Sequence, residues 1–349
     1  MSRHHDTTRR RAVRMVATAA TAAVMLAGCG SDVPQPEPEP AATAPVPVLD
    51  DDRIERILDD VQTVVAEGDE ALDAELLESR VSGPALDMRR AEYQLAAASD
   101  GERAPTPLTT DSQVEVVAAT DEWPRSLFVV SHIPQDANLP LLLVLTQQSP
   151  RDQYKLWFWS PLLPGAQTPT TARPEAGSPP LAPDAEGLRR TPAEAVSAYA
   201  DLLGDPGTSS DFADDPFRAG YREMIDALSA TVEVAGEVTE RYAVRDGSVA
   251  AMTTDDGGAL VVGVIDAGLT ISRTVDGSTL EAGGDIALLM GDGARIAGSA
   301  TADYLVPVAL VVPPAGSPDP ITVLGAGHVI SQVSVEEPEP EADDESEDG

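Results

Sequence analysis

The sequence predicts an α+β fold of two helix-backed, curved antiparallel sheets. Three observations predict it. Apolar residues recur at intervals of three and four at the start of each half of the chain, short β-rich runs fill the rest of that half, and a Pro- and Gly-rich stretch parts the two. Helices followed by strands, twice over, argue against the alternating order of a parallel βαβ sheet. With 349 residues and 42% hydrophobic content the chain can bury a core and has room for two domains.

The first helix is expected over Asp50 to Ala66, where Ile54, Ile57, Leu58, Val61, Val64 and Val65 form one apolar stripe and aspartates sit at the N-terminal end. Leu72, Leu76 and Leu77 suggest a second helix. A third begins at the Gly83-Pro84 step and carries Leu86, Tyr93 and Leu95. After "SDGERAPTP" four strand-like runs follow: "QVEVVAAT", "SLFVVSHI", "LPLLLVLTQQ" and "QYKLWFWS".

The connection "LLPGAQTPTTARPEAGSPPLAPDAEG" ends at Thr191-Pro192-Ala193-Glu194, a capping-box pattern with proline at the first helical position. Val196, Tyr199, Leu202 and Leu203 continue that helix, and Phe217, Tyr221, Met224, Ile225 and Leu228 mark another. From Thr231 the chain reads as strand almost to its end, with turns at Arg245–Ser248 and Asp255–Gly258. Helices ahead of a strongly bent antiparallel sheet look like the cone of NTF2-like or cystatin-like folds. The expected organisation is a signal peptide over 1–28, a tether over 29–49, a first α+β domain over 50–163, a linker over 164–190, a second α+β domain over 191–335 and an acidic tail over 336–349.

The two ends read differently from the middle. Arg3, Arg9, Arg10, Arg11 and Arg14 precede a short apolar run from Met15 to Ala27, the layout of an export signal too short to span a membrane as a helix. Leu26-Ala27-Gly28-Cys29 follows and resembles the lipobox of bacterial lipoproteins. That resemblance implies a diacylglyceryl group on Cys29, cleavage before it, and a place on the extracytoplasmic face of the cell membrane. Two acyl chains anchor stably, at about 0.8 kcal/mol per buried methylene. Thr8-Arg9-Arg10 hints at twin-arginine export, although no bulky apolar pair follows it. Gly30 to Val48 alternates proline with acidic and small residues, which forbids helix and favours an extended tether of roughly 60 Å. The tail "EEPEPEADDESEDG" lacks the apolar residues a fold needs and is expected to be disordered.

Charge narrows the partners. The formal net charge is −36, and removal of residues 1–28, with five arginines and Asp6, leaves 18 cations against 58 acids. Such a surface repels nucleic acid and anionic lipid headgroups, and disfavours binding of either by a basic patch. Lys155 is the only lysine, which together with the Ala, Gly, Pro, Asp and Val content suggests a GC-rich genome such as an actinobacterium's. The layout also resembles an uncharacterised family of actinobacterial lipoproteins, in the lipobox, the helix start Ser82-Gly83-Pro84-Ala85-Leu86-Asp87-Met88-Arg89 and the "LWFWSPLLPG" strand with its proline exit. That resemblance implies no particular activity.

No constellation for chemistry stands out. Cys29 is the only cysteine, so a disulfide framework, a cysteine zinc site and a cysteine nucleophile are all excluded beyond it. His132 and His328 are the only histidines after the signal, without metal spacing between them, and read as structural. No nucleophile elbow and no phosphate-binding loop is present, and "MGDGARIAG" reads as hairpin turns. Asp214 and Asp215 read as a helix cap before Pro216. The densest unusual stretch is Tyr154 to Trp159, with two of the three tryptophans. Tyr154, Trp157 and Trp159 are the candidates for an exposed aromatic patch, weighed against a packed central strand, the favoured reading. No catalytic residue, metal or cofactor is expected. The expectation is a non-catalytic binding or scaffolding lipoprotein acting on an envelope protein or small ligand. Two alternatives stand beside it: a carrier of a small apolar ligand in a cone pocket, and a hydrolase or isomerase built on scattered residues.

Overall fold

A computed structural model describes residues 45–291 and 293–337. Leu26, Ala27, Gly28 and Cys29, most of the expected tether and nearly all of the acidic tail lie outside the described residues.

Helix α1 (Asp51–Ala71) starts where the Asp50 carboxylate accepts a hydrogen bond from the Arg53 backbone N–H at 3.0 Å, with Asp51 and Asp52 in its first turn. Ile54, Leu58, Val61 and Val65 are the buried stripe. The helix runs past the expected Ala66 because Gly68 leaves room for the Leu77 side chain, and it ends at Leu72 in the left-handed region, φ 50°. That reversal, followed by an Asp73 carboxylate accepting from the Glu75 N–H, turns the expected second helix into a single 3₁₀ turn at Leu76–Ser79. Helix α2 (Gly83–Ala98) begins at the Gly83-Pro84 step and buries Ala85, Met88, Tyr93 and Ala96.

The four expected runs form one antiparallel meander, β1 (Ser112–Val117), β2 (Arg125–Ser131), β3 (Leu141–Gln147) and β4 (Lys155–Pro161), paired in chain order. Strand β3 is buried along all but its last residue, which is why its sequence is continuously apolar instead of alternating. Between β3 and β4 the register slips, so that Phe158 faces Val144, Leu156 faces Leu145 and Trp157 is the extra residue.

The 164–190 connection is hydrogen-bonded into the fold. Ser178 exchanges backbone bonds with Val117 and Ala119, and β5 (Pro180–Leu181) adds to the edge of the second sheet. Helix α3 (Pro192–Gly204) carries the complete capping box at Thr191 and Glu194. Helix α4 (Pro216–Val232) is capped by Asp215, which accepts from the Arg218 N–H at 2.8 Å. It continues through Val232, where strand was expected from Thr231, because Val232 is buried on its packed face.

The second sheet consists of four long antiparallel passes. Strands β6 (Gly236–Val244) and β7 (Ala250–Thr253) lie in succession along one edge of β8 (Ala259–Arg273), broken by the turn at Arg245–Ser248. Beyond β8, a two-residue hairpin of β9 (Leu280–Glu281) and β10 (Arg295–Ile296) encloses α5 (Gly284–Met290). This short helix corrects the expectation of unbroken strand; Gly291 and Gly293, at φ 72° and 89°, then turn the chain as "MGDGARIAG" suggested. Strand β11 (Ser299–Val312) pairs with β8 along its whole length. On its far side β12 (Thr322–Ala326) and β13 (Val329–Glu336) follow one another, broken at Gly327-His328.

Both faces of β8 and β11 are buried, and alternate residues serve different layers. Ala259, Val261, Ile265, Val306, Val308 and Leu310 pack with α3 and α4. Leu260, Val262, Val264, Leu305 and Ala309 join α1, α2 and β1–β4 in a single core. The backbone also ties the two sheets, with the Leu163 N–H donating to the Leu324 carbonyl at 2.9 Å. The fold is therefore α+β with two helix-backed antiparallel sheets that meet in one shared core, while the other face of the second sheet packs a separate core with α3 and α4. Among the described residues no helix is long and apolar enough to cross a membrane.

Candidate functional site

A cavity of about 490 Å³ opens where α2 and the end of β4 meet α4, α5 and the break between β12 and β13. Its walls are mainly apolar: Leu95, Pro161, Met224, Leu228, Leu269, Ile286 and Ile330 contribute. Charged and polar side chains line it as well, Glu92, Arg103, Thr106 and Asp285, and with them stand three aromatic groups that carry a polar atom.

The first is His328. The strand break places it after Gly327, whose N–H donates to the Pro307 carbonyl at 3.2 Å. Its ring lies among Phe217, Tyr221 and Tyr304, with centroids 6.2, 5.9 and 6.0 Å away. The imidazole is exposed to the hollow yet surrounded by protein, and this loss of solvent holds its pKa below the ordinary value, with Asp285 pulling weakly upward. The neutral imidazole is therefore favoured. Asp285 instead makes an ion pair with Arg103 at 2.8 Å. No carboxylate hydrogen-bonds His328 among the described residues.

The second is Trp159, 3% exposed, whose indole N–H has no hydrogen-bond partner among the described residues. A buried donor without an acceptor costs free energy comparable to a lost hydrogen bond. The third is Tyr304, whose phenol pKa is raised by burial first and then by nearby Tyr221 and Asp285.

The α2 wall is stiffened by a buried polar network. Arg89, 2% exposed, donates to both carboxylate oxygens of Asp69 at 2.9 and 2.6 Å, to Glu92 at 2.7 Å and to the Thr106 carbonyl at 2.8 Å. Glu92 also accepts from the Thr106 N–H and hydroxyl. Asp69 accepts from the Tyr93 hydroxyl. Glu92 and Thr106 line the cavity, so this network fixes their positions.

The sequence over residues 45–332 matches a family described as Domain of unknown function (DUF8094). The chain belongs to that family. No curated protein and no solved structure matches it. In this DUF8094 domain, no group of three or more His, Cys, Asp or Glu among the described residues could hold a metal ion.

The residues singled out from the sequence fall in separate places. Cys29 and the residues before it lie outside the described residues. His132 is exposed just past β2 and does not line the cavity that holds His328. The aromatic-patch candidates require correction: Tyr154 and Trp159 are 5% and 3% exposed, and Trp157 packs over Gly83. Tyr154 lines a different hollow from Trp159. The aromatic group around His328 was not foreseen. Its members come from α4, β11 and the β12–β13 break, and only the clustering of Phe217 and Tyr221 on one helix face hinted at it.

Proposed function

We propose that this is an exported, lipid-anchored protein of the cell envelope that binds, without catalysis, a small and largely apolar ligand in the cavity beside His328. The observation that carries the reading is a roomy, mainly apolar cavity lined in part by Trp159, whose buried indole N–H has no partner among the described residues. An apolar ligand body would cover Leu95, Leu228 and Leu269. The neutral state favoured at His328 suits an uncharged ligand, and its lack of an orienting carboxylate supports binding over acid–base chemistry.

The anchoring half of the proposal rests on the Leu26-Ala27-Gly28-Cys29 lipobox, the short apolar run before it and the proline-rich segment after it. Titration of the purified full chain with an apolar fluorescent dye tests the binding half. Saturable binding that is lost in Met224→Trp, a change at the half-open rim of the cavity, is expected. Dye binding unaffected by that substitution would refute it. Cell fractionation tests the anchor: Cys29→Ser should leave the membrane fraction, and retention there would contradict lipidation.

A further inference from the structure

A second hollow, of about 510 Å³, shares no lining residue with the cavity above and has the opposite electrostatic character. In a chain with 59 acids and 23 cations, its wall gathers Arg53, Arg56, Arg80 and Arg125 against Asp60 and Asp152. Among the lining residues, four arginines against two aspartates leave a net side-chain charge of +2.

Several of these groups lack full internal partners. Arg80 is engaged, donating to Asp60 at 2.5 Å and to Gln153 at 3.1 Å. Arg53 pairs with the exposed Asp50 at 3.7 Å. Arg56 and Arg125 have no ion-pair partner among the described residues. The Arg125 Nε is buried without a hydrogen bond, and its guanidinium lies over the Trp123 ring, 4.1 Å from the centroid. Tyr154, 95% buried by its 5% exposure, carries a hydroxyl that also has no partner. Burial pushes that phenol up to about 12, against the pull of Arg125, so it is a proton donor at neutral pH.

Unpaired guanidinium forks beside an unpaired phenol donor match the oxygens of a phosphate group, which accept two parallel N–H bonds from one arginine. Trp123, 37% exposed, adds a flat apolar face at the rim, and Val48, Leu49 and Ile57 add aliphatic surface. We propose that this hollow binds a phosphate-bearing ligand, with the guanidinium groups of Arg56 and Arg125 taking the phosphate oxygens and Trp123 covering the ligand's remaining body. The phosphate is that of a soluble ester or of a phospholipid headgroup. Val48 and Leu49 are the residues leading into α1 from the N-terminal segment, so the hollow lies where that segment joins the fold.

The test uses the full-length protein with three probes followed through tryptophan fluorescence and calorimetry: inorganic phosphate, glycerol 3-phosphate, and vesicles of phosphatidylcholine with and without phosphatidylglycerol. Saturable binding of the soluble phosphates assigns a soluble ester, and binding only to phosphatidylglycerol vesicles assigns a headgroup. Either supports the site if Arg125→Met and Arg56→Gln each weaken it by about tenfold or more, the loss of one charge-assisted hydrogen bond. Arg56 is exposed, so Arg56→Gln keeps the fold and remains decisive if Arg125→Met unfolds. No saturable binding to any probe, or binding equal in wild type and Arg56→Gln, overturns the proposal.

Discussion

Replacing Arg89 with methionine removes the centre of the buried network on α2. The wild-type guanidinium makes four hydrogen bonds of 2.6–2.9 Å to Asp69, Glu92 and the Thr106 carbonyl, at 2% exposure. Methionine fills much of the same volume, so little of the cost is a cavity. The cost comes from what remains. Glu92, 8% exposed, keeps its bonds from Thr106 but loses its only countercharge, and a carboxylate left buried without one is strongly unfavourable. Asp69, with a side chain 31% exposed, can recover much of its loss from water and keeps the Tyr93 hydroxyl. Breaking a buried pair from one side costs about 3–5 kcal/mol. That is a large share of a typical total of about 5–15 kcal/mol. Urea unfolding followed by tryptophan fluorescence measures it. The double variant Arg89→Met/Glu92→Met should be less destabilised than the two single changes added together, since it removes the stranded charge. A loss below about 1 kcal/mol for Arg89→Met, or strict additivity in the double variant, would refute the assignment of a coupled ionic network.

Three further outcomes are expected. All three tryptophans lie in the first half of the chain, whereas Leu260 lies in the second sheet and packs into the shared core. Leu260→Ala should therefore lower the tryptophan-detected unfolding midpoint in a single transition, with about 2–5 kcal/mol lost from the unfolding free energy, and a separate unshifted transition would show that the sheets unfold independently. Gly83→Ala faces two penalties, a φ of 54° and a Cβ only 2.7 Å from Trp157 Cδ1. It should cost about 1–3 kcal/mol in chemical denaturation, and a neutral result would contradict the close approach. The third concerns pH. His328 titrates below its ordinary value of 6.5 when folded, so the unfolded chain takes up that proton first. Its contribution to stability is full above about 6.5 and is lost as pH falls through the lower folded value. The pH–stability curve of His328→Gln should be flatter than wild type across that window, and parallel curves would contradict the assignment.

Much of the fold is legible because local signals and tertiary packing agree. The α1 stripe, the Thr191 capping box, the Asp215 cap and the four runs of the first sheet each carry a short-range cause that the structure retains. Where reading fails, a distant contact decides. Gly68 extends α1 because Leu77 packs over it, and α5 is too short for helical periodicity to register. The breaks at Arg245–Ser248 and Gly327-His328 read as strand ends, but each lies within a longer pass along β8 or β11. The candidate sites were less legible. Phe217, Tyr221, Tyr304 and His328 meet only after the second sheet forms, and Arg53, Arg56, Arg80 and Arg125 come from three separate segments of the first half. Apart from Phe217 and Tyr221, four apart on one helix, no spacing announces these partners.

The central claim is that the cavity beside His328 holds a ligand in the native protein. Native mass spectrometry after purification from the cell envelope in mild detergent tests it most directly. The account predicts one small molecule retained per chain by the wild type and absent from Met224→Trp. Wild-type protein that is empty under these conditions, or a molecule retained equally by the variant, would contradict it.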